Sequence, residues 1–372
     1  MTRIQLSVAD FGLCHILADR LLDWVVDRYE VQYSSHGAPY VLHSCNGYDV
    51  LKHPGVRIFV TGENVVPDFN ICDYAFGFQR LDFGDRYCRL PLYRLDKVVY
   101  ERLRQARPPV DVVLRAKTGF CAAVISNTRG APARSRLVEL LNACRRVDMG
   151  GSWRNNVGGP VADKLRFLSR YKFAVACENS STPGYATEKI ADALASQAIP
   201  IYWGDPEIAQ DFNPEAFVNC HAFGSLEAAV ERVRQIDRDE CLYRRMLAAP
   251  CFREGREPAH LQEARFRAFL ANIFDQPWEQ AFRRNRGYWG RKHERRQMEA
   301  FHQPQVQVLR CIQALSRRRR QALHPYAWQP APLQAPLPFE PGADAECTRE
   351  TDVPAETPAA ISCHGKGCAA CT

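Results

Sequence analysis

The segment from 171 to 219 collects residue types that suit the binding of an anionic ligand. It reads YKFAVACENSSTPGYATEKIADALASQAIPIYWGDPEIAQDFNPEAFVN. An apolar strand pattern ends at Cys177, a turn rich in Ser, Thr, Pro and Gly follows, and a helix is predicted to begin between Tyr185 and Thr187. Ligands of open α/β sheets bind at the carboxyl ends of strands, where helix N-termini point at them. The segment therefore predicts a site for a phosphate or diphosphate group.

Two charged residues open that predicted helix. Lys189 falls in its first turn, where the helix dipole disfavours a cation by roughly 0.3–1 kcal/mol. A bound diphosphate would explain the lysine, and a solvated surface lysine is the alternative. The neighbouring Glu188 either complements the dipole or contacts a ribose hydroxyl or a developing positive charge on a sugar.

The elements that must position these residues alternate between strand and helix patterns. Strands are predicted at 3–9, 40–44, 57–61, 120–127, 172–177, 198–203 and near 217, and helices at 14–29, 134–145, 161–170 and 185–196. Near-continuous apolar runs such as FCAAVISN indicate strands that are buried on both faces. The alternation is typical of βαβ units and parallel sheets. Two such units in tandem predict two Rossmann-like domains that face a cleft.

Length and composition favour an ordinary globular enzyme. The 372 residues suggest two domains, and a hydrophobic share of 46% is sufficient for two cores. No apolar stretch approaches the ~20 residues that cross a bilayer, and the opening MTRIQLSVAD has no signal-peptide pattern. The odd number of cysteines, 15, favours a reducing compartment. We therefore expect a cytoplasmic location.

The basic excess lies in one segment near the C-terminus. Residues 276–325 hold 12 lysines and arginines against three glutamates, although the whole chain carries a net charge of only +7. A basic amphipathic helix over 283–320 would rest on the inner face of an anionic membrane. A solvated helix that packs against the body of the protein is the alternative. Nucleic-acid binding is not favoured, because no nucleic-acid fold accompanies the segment.

A resemblance to a known family adds to this interpretation. The pattern YKF, ENS, GY-A-TEKI-A-DA and IPIYWG within 171–219 resembles the donor-binding signature of the α-1,3/4-fucosyltransferases, glycosyltransferase family 10, in particular the bacterial branch that makes Lewis-type antigens. Residues 59–93 resemble the acceptor-side block of that family, and residues 126–143 resemble the opening of its C-terminal domain. The resemblance spans about 57–275.

The resemblance implies an α/β protein of GT-B architecture with additional C-terminal helices. The expected domains are an N-terminal acceptor-binding domain (1–118), a GDP-fucose-binding domain (119–275), a basic helical segment (276–325) and a disordered, Pro- and Ala-rich tail (326–372). The implied reaction is an inverting single displacement from GDP-β-L-fucose to a GlcNAc or Glc hydroxyl. An α-1,3 linkage on N-acetyllactosamine or lactose is expected, without a required divalent metal.

The resemblance also assigns roles to individual residues. Glu63, in a Gly-Glu-Asn loop, matches the general base, and Glu188 is a second catalytic candidate. The residues that match donor-binding positions are Arg134, Asn179, Tyr185, Glu188 and Lys189. From the residues alone, Glu63 could be a turn-forming charge, Arg134 a surface arginine and Tyr185 a packing residue. Cys177 stands where the family usually has Phe.

Three other interpretations compete with this one. A non-catalytic glycan- or nucleotide-binding protein of the same fold is disfavoured, because Glu63, Arg134, Glu188 and Lys189 are all present. The Asp237-Arg238-Asp239 triplet resembles a metal-binding DxD, but it lies in a helical stretch and not after a strand. Cysteines and a histidine between 363 and 371 could supply zinc ligands, although the adjacent Cys-His pair fits one tetrahedral site badly.

Overall fold

Two parallel β-sheets form the framework of the protein. The computed structural model describes residues 1–12, 16–35, 37–308 and 311–312. The predicted disordered tail, its cysteine cluster and the end of the basic segment lie outside these residues.

The first sheet has six strands in the order β2-β1-β3-β4-β5-β6, all parallel. They are β1 (Thr2–Ala9), β2 (Tyr29–Tyr33), β3 (Tyr40–His43), β4 (Val56–Phe59), β5 (Tyr74–Gly77) and β6 (Tyr87–Arg89). The second sheet has five parallel strands in the order β11-β10-β9-β7-β8. They are β7 (Gly119–Ala123), β8 (Val147–Met149), β9 (Tyr171–Cys177), β10 (Ile199–Trp203) and β11 (Val218–Asn219).

Ten α-helices connect and cover the sheets within the described residues. They are α1 (Ile16–Leu22), α2 (Lys97–Arg104), α3 (Val110–Arg115), α4 (Pro132–Cys144), α5 (Lys164–Ser169), α6 (Glu188–Ala195), α7 (Leu226–Arg238), α8 (Glu240–Ala248), α9 (Glu263–Phe274) and α10 (Tyr288–Phe301). Asp239 caps the start of α8 by accepting a hydrogen bond from the Leu242 amide at 2.9 Å. The DxD-like triplet is therefore part of a helix boundary. None of the described helices is long and apolar enough to cross a membrane.

The alternation of strands and helices agrees with the expectation from the sequence, and the α/β architecture with two parallel sheets is confirmed. The central strand β9 is buried along both faces: Phe173 and Val175 belong to one hydrophobic core, and Ala174 and Ala176 belong to another. Cys177, the departure from the family pattern, is buried with Phe173. The helix predicted at 14–29 is wrong in extent, because α1 ends at Leu22 and the chain returns as β2.

Helix α9 packs on the first sheet although it follows the second sheet in sequence. Phe266 stacks on Trp24 with ring centroids 4.7 Å apart, and Phe274 meets Tyr29 and Tyr40 edge-on at 5.5 and 5.1 Å. The core of the first sheet therefore includes residues that the sequence analysis assigned to the GDP-fucose-binding domain. The proposed boundaries at 118, 275 and 325 stay predictions.

Helix α10 also contacts the first sheet through one face. The Arg57 guanidinium on β4 donates to Glu294 at 2.7 Å, and His293 lies 2.9 Å from Asp68. Phe301 packs edge-on against Tyr48 with centroids 4.8 Å apart. This part of the basic segment thus packs against the body of the protein.

Candidate functional site

Asn64 connects the loop after β4 to the turn after β9. Its side-chain amide donates to the Ser180 hydroxyl at 2.8 Å, and its carbonyl oxygen accepts from the Thr182 hydroxyl at 2.8 Å. Both segments follow the carboxyl ends of parallel strands, where the ligands of such sheets bind. Asn64 directly follows Glu63, so these hydrogen bonds bring the loop of the candidate base to the candidate donor segment.

Glu63 itself is exposed and lies in a short turn. Its amide donates to the Thr61 hydroxyl at 3.0 Å, and its carbonyl accepts from the Val65 amide at 2.8 Å. The backbone is fixed while the carboxylate reaches solvent. This arrangement suits a base that must meet an external hydroxyl, and it also fits the turn-forming role that the sequence left open.

Glu178, which the sequence analysis did not select, organises the start of α6. Its carboxylate is completely buried and accepts from the Thr187 amide and hydroxyl, each at 2.7 Å, and from the Lys189 ammonium at 2.9 Å. Gly204 is needed beside it, because a Cβ there would collide with the Glu178 side chain and lie 2.7 Å from the Tyr202 hydroxyl oxygen. The Glu178-Asn179 pair directly after a buried strand was the available sequence signal.

Lys189 lies in the first turn of α6, as expected, but its charge is compensated. Besides Glu178, the carboxylate of Glu188 lies 3.3 Å from its ammonium. Burial disfavours the charged form, yet the two carboxylates hold the pKa of Lys189 above its usual value. Lys189 is therefore not the uncompensated cation that its position at the helix start suggests. The diphosphate role of Lys189 stays a prediction.

Glu188 lies between two lysines. Lys164 approaches its carboxylate at 3.9 Å and pairs more closely with Asp192, at 2.6 Å. Burial alone would raise the pKa of Glu188, but Lys189 and Lys164 together lower it below the usual range. Glu188 is therefore ionised at neutral pH. An ionised carboxylate can accept hydrogen bonds from sugar hydroxyls.

Arg134 and Asn179 form a second part of the site. Arg134 is buried near the start of α4 and donates to the Asn179 side-chain oxygen at 2.6 Å and to the Asn127 carbonyl. The Asn179 carbonyl in turn accepts from the Ala131 amide at 2.8 Å. Burial lowers the pKa of Arg134 somewhat, although a guanidinium stays charged. Arg134 is therefore not a surface arginine, which was the alternative that the sequence left open.

Tyr185 is buried between the two halves of the protein, the first half being built on the first sheet and the second half on the second sheet. Its ring packs edge-on against Phe78, with centroids 4.8 Å apart. Burial, together with the nearby charges of Glu178 and Glu63, raises the pKa of its hydroxyl. The preceding Gly184 has a φ of +88°, and a Cβ there would collide with the Phe78 carbonyl. The packing role of Tyr185 is visible, and its donor contact stays a prediction.

Asp211 also joins the two halves, and the sequence analysis did not select it. Its buried carboxylate accepts from Arg89 at 2.7 and 3.0 Å, from Tyr93 at 2.9 Å and from Arg80 at 3.1 Å. His260 lies 2.8 Å away. Burial alone would raise the pKa of Asp211, but the contacts with His260 and Arg89 hold it below its usual range. Asp211 thus fixes the first sheet relative to the turn that carries the site.

The structure brings the predicted donor residues to one edge of the second sheet. They follow β9 or begin the helices after β7 and β9: Arg134, Asn179, Tyr185, Glu188 and Lys189. The loop of Glu63 reaches them through Asn64. Within the described ranges, no group of three or more His, Cys, Asp or Glu residues is arranged to hold a metal ion.

Comparisons with known proteins identify two matching family models. Residues 8–96 match the alpha-(1,3)-fucosyltransferase FucT N-terminal domain, and residues 114–249 match the glycosyltransferase family 10 (fucosyltransferase) C-terminal model. These ranges contain ten of the eleven strands in full, the end of β1, and all the candidate site residues.

Individual relatives agree with the family models. The alpha-(1,3)-fucosyltransferase of Helicobacter pylori is 40% identical over 221 residues, which are 51% of this chain and 46% of that protein. The human 3-galactosyl-N-acetylglucosaminide 4-alpha-L-fucosyltransferase is 32% identical over 264 residues, 65% of this chain and 66% of its own length. This chain thus spans about half the length of the H. pylori relative. A crystal structure of an alpha1,3-fucosyltransferase with GDP-fucose aligns with a TM-score of 0.64 at 30% identity, covering 75% of this chain and 93% of its own.

Proposed function

The chain belongs to glycosyltransferase family 10, the fucosyltransferases, and on that basis we propose that it transfers L-fucose from GDP-fucose to a glycan hydroxyl. The observation that carries the proposal is the hydrogen-bonded contact of Asn64 with Ser180 and Thr182. This contact puts the exposed carboxylate of Glu63 on the loop that adjoins the donor segment. A transferase needs this proximity of base and donor.

The proposed mechanism is an inverting single displacement. Glu63 accepts the proton of the acceptor hydroxyl as its oxygen bonds to the fucose anomeric carbon, and the bond from that carbon to the diphosphate breaks. Paired carboxylates support inversion in the related chemistry of glycoside hydrolysis. The leaving GDP takes up negative charge, which Arg134 and Lys189 stabilise. Glu188 accepts from a ribose hydroxyl or stabilises positive charge on the sugar.

Lys189 can contribute to this site without leaving Glu178. An ammonium has three donors, and two of them are directed at Glu178 and Thr187, at 2.9 and 2.6 Å. The third faces Glu188 at the longer distance of 3.3 Å. A phosphate oxygen replaces this weaker contact and frees the Glu188 carboxylate for a sugar hydroxyl. Asn179 and Tyr185 complete the donor site beside the guanosine or diphosphate.

The acceptor is a GlcNAc or Glc residue of a glycan, with an α-1,3 linkage on N-acetyllactosamine or lactose. The name of the H. pylori relative supports the α-1,3 linkage, and the name of the human relative supports a galactosyl-N-acetylglucosamine acceptor, although that enzyme is named for a linkage to the 4 position. No divalent metal is required, because the cations of the chain take the role that a metal has elsewhere. Addition of EDTA is therefore expected to leave the rate unchanged.

The decisive test is fucosyl transfer by the purified protein, followed by mass spectrometry. N-acetyllactosamine and lactose are offered separately with GDP-fucose, with and without EDTA. The wild-type protein is expected to add one deoxyhexose. Glu63→Gln is expected to abolish transfer while GDP still protects the protein against thermal unfolding. The control is Glu101→Gln, which changes an exposed glutamate paired with Arg104 and is expected to be active.

Each outcome of this test separates two interpretations. Full turnover by Glu63→Gln would show that another group is the base. A wild-type protein that binds GDP-fucose but transfers to neither acceptor would leave the donor site in place and contradict the acceptor assignment. A protein that shows neither GDP-fucose binding nor transfer would contradict the donor assignment and favour the non-catalytic binding protein.

The outward face of α10 supports peripheral membrane binding through 283–320. Tyr288 and Trp289 are 69% and 68% exposed at the start of the helix, and the Lys292 ammonium lies 5.1 Å from the centre of the Trp289 indole ring. Arg291 and Arg295 are also exposed. Aromatic and basic side chains together suit the interface of an anionic membrane. The inward face packs on the body, so the outward face alone is available for the proposed membrane contact.

Vesicle flotation tests this part of the proposal. The protein is expected to bind vesicles that contain phosphatidylserine and to be released by salt, and to ignore vesicles of phosphatidylcholine alone. Replacing both Tyr288 and Trp289 by Ser should weaken the binding, whereas Trp278→Ser, at a 40% exposed aromatic outside α10, should not. Equal binding by all three proteins would contradict a role for this face. Binding to the cytoplasmic leaflet would bring the enzyme to lipid-linked acceptors.

A further inference from the structure

Helices α5 and α6 pack together beside the candidate donor site, and Lys164 on α5 faces two carboxylates of α6. Its ammonium pairs with Asp192 at 2.6 Å and lies 3.9 Å from Glu188. Asp192 follows Glu188 by four residues, so the two carboxylates lie one turn apart on the same face of the helix. The sequence analysis assigned no role to Lys164, and the proposed mechanism does not use it.

Lys164 belongs to a series of alternating charges that ends at the turn after β9. The series holds three carboxylates and two ammoniums, and its oppositely charged neighbours lie 2.6, 3.9, 3.3 and 2.9 Å apart. In this order the members are Asp192, Lys164, Glu188, Lys189 and Glu178. Each ammonium therefore lies between two carboxylates, and Glu188 lies between the two ammoniums.

The carboxylates of α6 offset the burial of Lys164. Its side chain is 29% exposed, and that of Asp192 is 10% exposed. Burial lowers the pKa of Lys164, but Asp192 and Glu188 together raise it above its usual value, so the ammonium is charged at neutral pH. Burial raises the pKa of Asp192, and the charge of Lys164 opposes that rise. Removal of Lys164 would leave two carboxylates on one helix face without the cation that they share.

Donor binding makes Glu188 more dependent on Lys164. In the proposed function, a phosphate oxygen takes the donor of Lys189 that faces Glu188 at 3.3 Å. Lys164 is then the remaining cation in the ion pairs that Glu188 forms within the described part of the chain. An ammonium has three donors, so Lys164 can contact Glu188 and still keep its bond to Asp192.

The charge of the donor strengthens this dependence. A diphosphate at the start of α6 adds negative charge next to Glu178 and Glu188, and like charges at such short distances repel each other. A Glu188 carboxylate that Lys164 holds can release Lys189 to the phosphate. Without Lys164, the carboxylate would compete with the phosphate for the same ammonium.

We infer that Lys164 is a positioning residue of the donor site, which holds the Glu188 carboxylate in place when GDP-fucose occupies Lys189. The inference rests on the proposed function. Lys164 acts through Glu188 and does not touch the donor, so its effect on binding must disappear when the charge of Glu188 is removed. A lysine that only fastened α5 to α6 would have the same effect with or without that charge.

Isothermal titration calorimetry with GDP-fucose, in the absence of an acceptor, tests the inference. Lys164→Met should raise the dissociation constant of GDP-fucose about fivefold to tenfold, the effect of one weakened hydrogen bond to a charged group. In a protein that already carries Glu188→Gln, the same substitution should change this constant less than about twofold, because coupled residues are not additive. Equal factors in the two backgrounds, or an unchanged constant in Lys164→Met, would overturn the inference.

Two further proteins separate positioning from a loss of stability. Lys164→Met combined with Asp192→Asn leaves no buried aspartate without its cation, so it should recover most of the melting temperature and still bind GDP-fucose weakly. Lys172→Met is the matched control, because Lys172 is 25% exposed, pairs with the 18% exposed Asp237 and lies at the start of β9, at the opposite end of the strand from the donor turn. It should melt below wild type and bind GDP-fucose normally. Normal binding by the double variant, or equal losses in Lys172→Met and Lys164→Met, would overturn the inference.

Binding and turnover together keep this inference separable from the proposed function. A wild-type protein that binds GDP-fucose without transferring it would contradict the proposed transfer, whereas a loss of binding in Lys164→Met that depends on Glu188 would still support the positioning role. A wild-type protein that transfers fucose, with a Lys164→Met variant that binds the donor equally tightly, would overturn the inference alone. A wild-type protein that does not bind GDP-fucose would overturn both.

Discussion

The ion pair between Lys189 and Glu178 offers the most informative test, because it separates a structural role of the lysine from a donor-binding role. In Lys189→Met, Glu178 loses the ammonium at 2.9 Å and keeps two hydrogen bonds from Thr187. Removal of one partner from a buried pair destabilises by about 3–5 kcal/mol. Lys189 is 22% exposed and Glu178 is fully buried, so we expect the lower end, about 3 kcal/mol.

This free energy corresponds to a measurable shift of the melting temperature. The compact unit spans residues 1–309, and an unfolding entropy of about 2.1 cal/mol/K per residue gives a loss of about 5 °C for 3 kcal/mol. The double variant Lys189→Met with Glu178→Gln should recover most of this loss, because no unpaired charge remains buried. Lys52→Met is the control: its ion pair with Asp49 is exposed, 65% on each side, and should contribute less than about 1 kcal/mol.

Differential scanning fluorimetry with and without GDP completes the experiment. If Lys189 binds the diphosphate, the protection by GDP should fall in Lys189→Met and in the double variant, and stay intact in Lys52→Met. If Lys189→Met had the same melting temperature as Lys52→Met, the reasoning about the buried ion pair would be refuted. Undiminished protection by GDP in the stability-restored double variant would show that Lys189 is structural and that Arg134 carries the diphosphate without it.

Three further predictions concern single positions. Gly204→Ala should destabilise by about 1–3 kcal/mol through its collision with the Glu178 side chain, whereas Gly224→Ala, with open space around it, should melt close to wild type. Burial lowers the pKa of His43 from 6.5 to about 3, so the unfolded chain takes up a proton first. As the pH falls from about 6.5 to 3, the free energy of unfolding should therefore decrease by up to ~1.4 kcal/mol per pH unit. In His43→Leu, the melting temperature should depend less on pH over this range. Asn64→Ala should raise the ratio of GDP-fucose hydrolysis to fucosyl transfer, as a chromatographic assay of free fucose would detect; an unchanged ratio would exclude a role of Asn64 in holding the two loops together.

Strands β7, β9 and β10 of the second sheet were predictable because burial on both faces leaves a simple signal, whereas the three-residue β8 was missed. Phe173 to Cys177 and Ile199 to Tyr202 are continuous apolar runs. The strands that the sequence analysis missed have either three or four residues or a mostly exposed surface. In β2, for example, four of five residues are exposed or half-exposed, and its alternation competes with a helical pattern that starts in α1.

The site was predictable as a set of positions and not as a set of contacts. The motif placed Lys189 at a helix start, but its partner Glu178 is 11 residues away across a turn whose path depends on Gly184 and Gly204. Asp211 was missed because none of its partners is near it in sequence: Arg89 and Tyr93 lie more than a hundred residues before it, and His260 lies 49 residues after it. Such long-range pairs leave no local pattern in a single sequence.

The position of α9 sets an order for the folding of a newly made chain. The first sheet begins at residue 2, yet the partners of Trp24 and Tyr29 are Phe266 and Phe274. Asp73, which directly precedes β5, likewise forms its ion pair with Arg284 only after that residue has been synthesised. During synthesis at about 5–20 residues per second, these aromatic surfaces stay uncovered for more than ten seconds after they leave the ribosome. The N-terminal half is therefore the part that needs protection from aggregation. A polypeptide truncated before residue 263 would lack α9, and its first sheet would have no complete core.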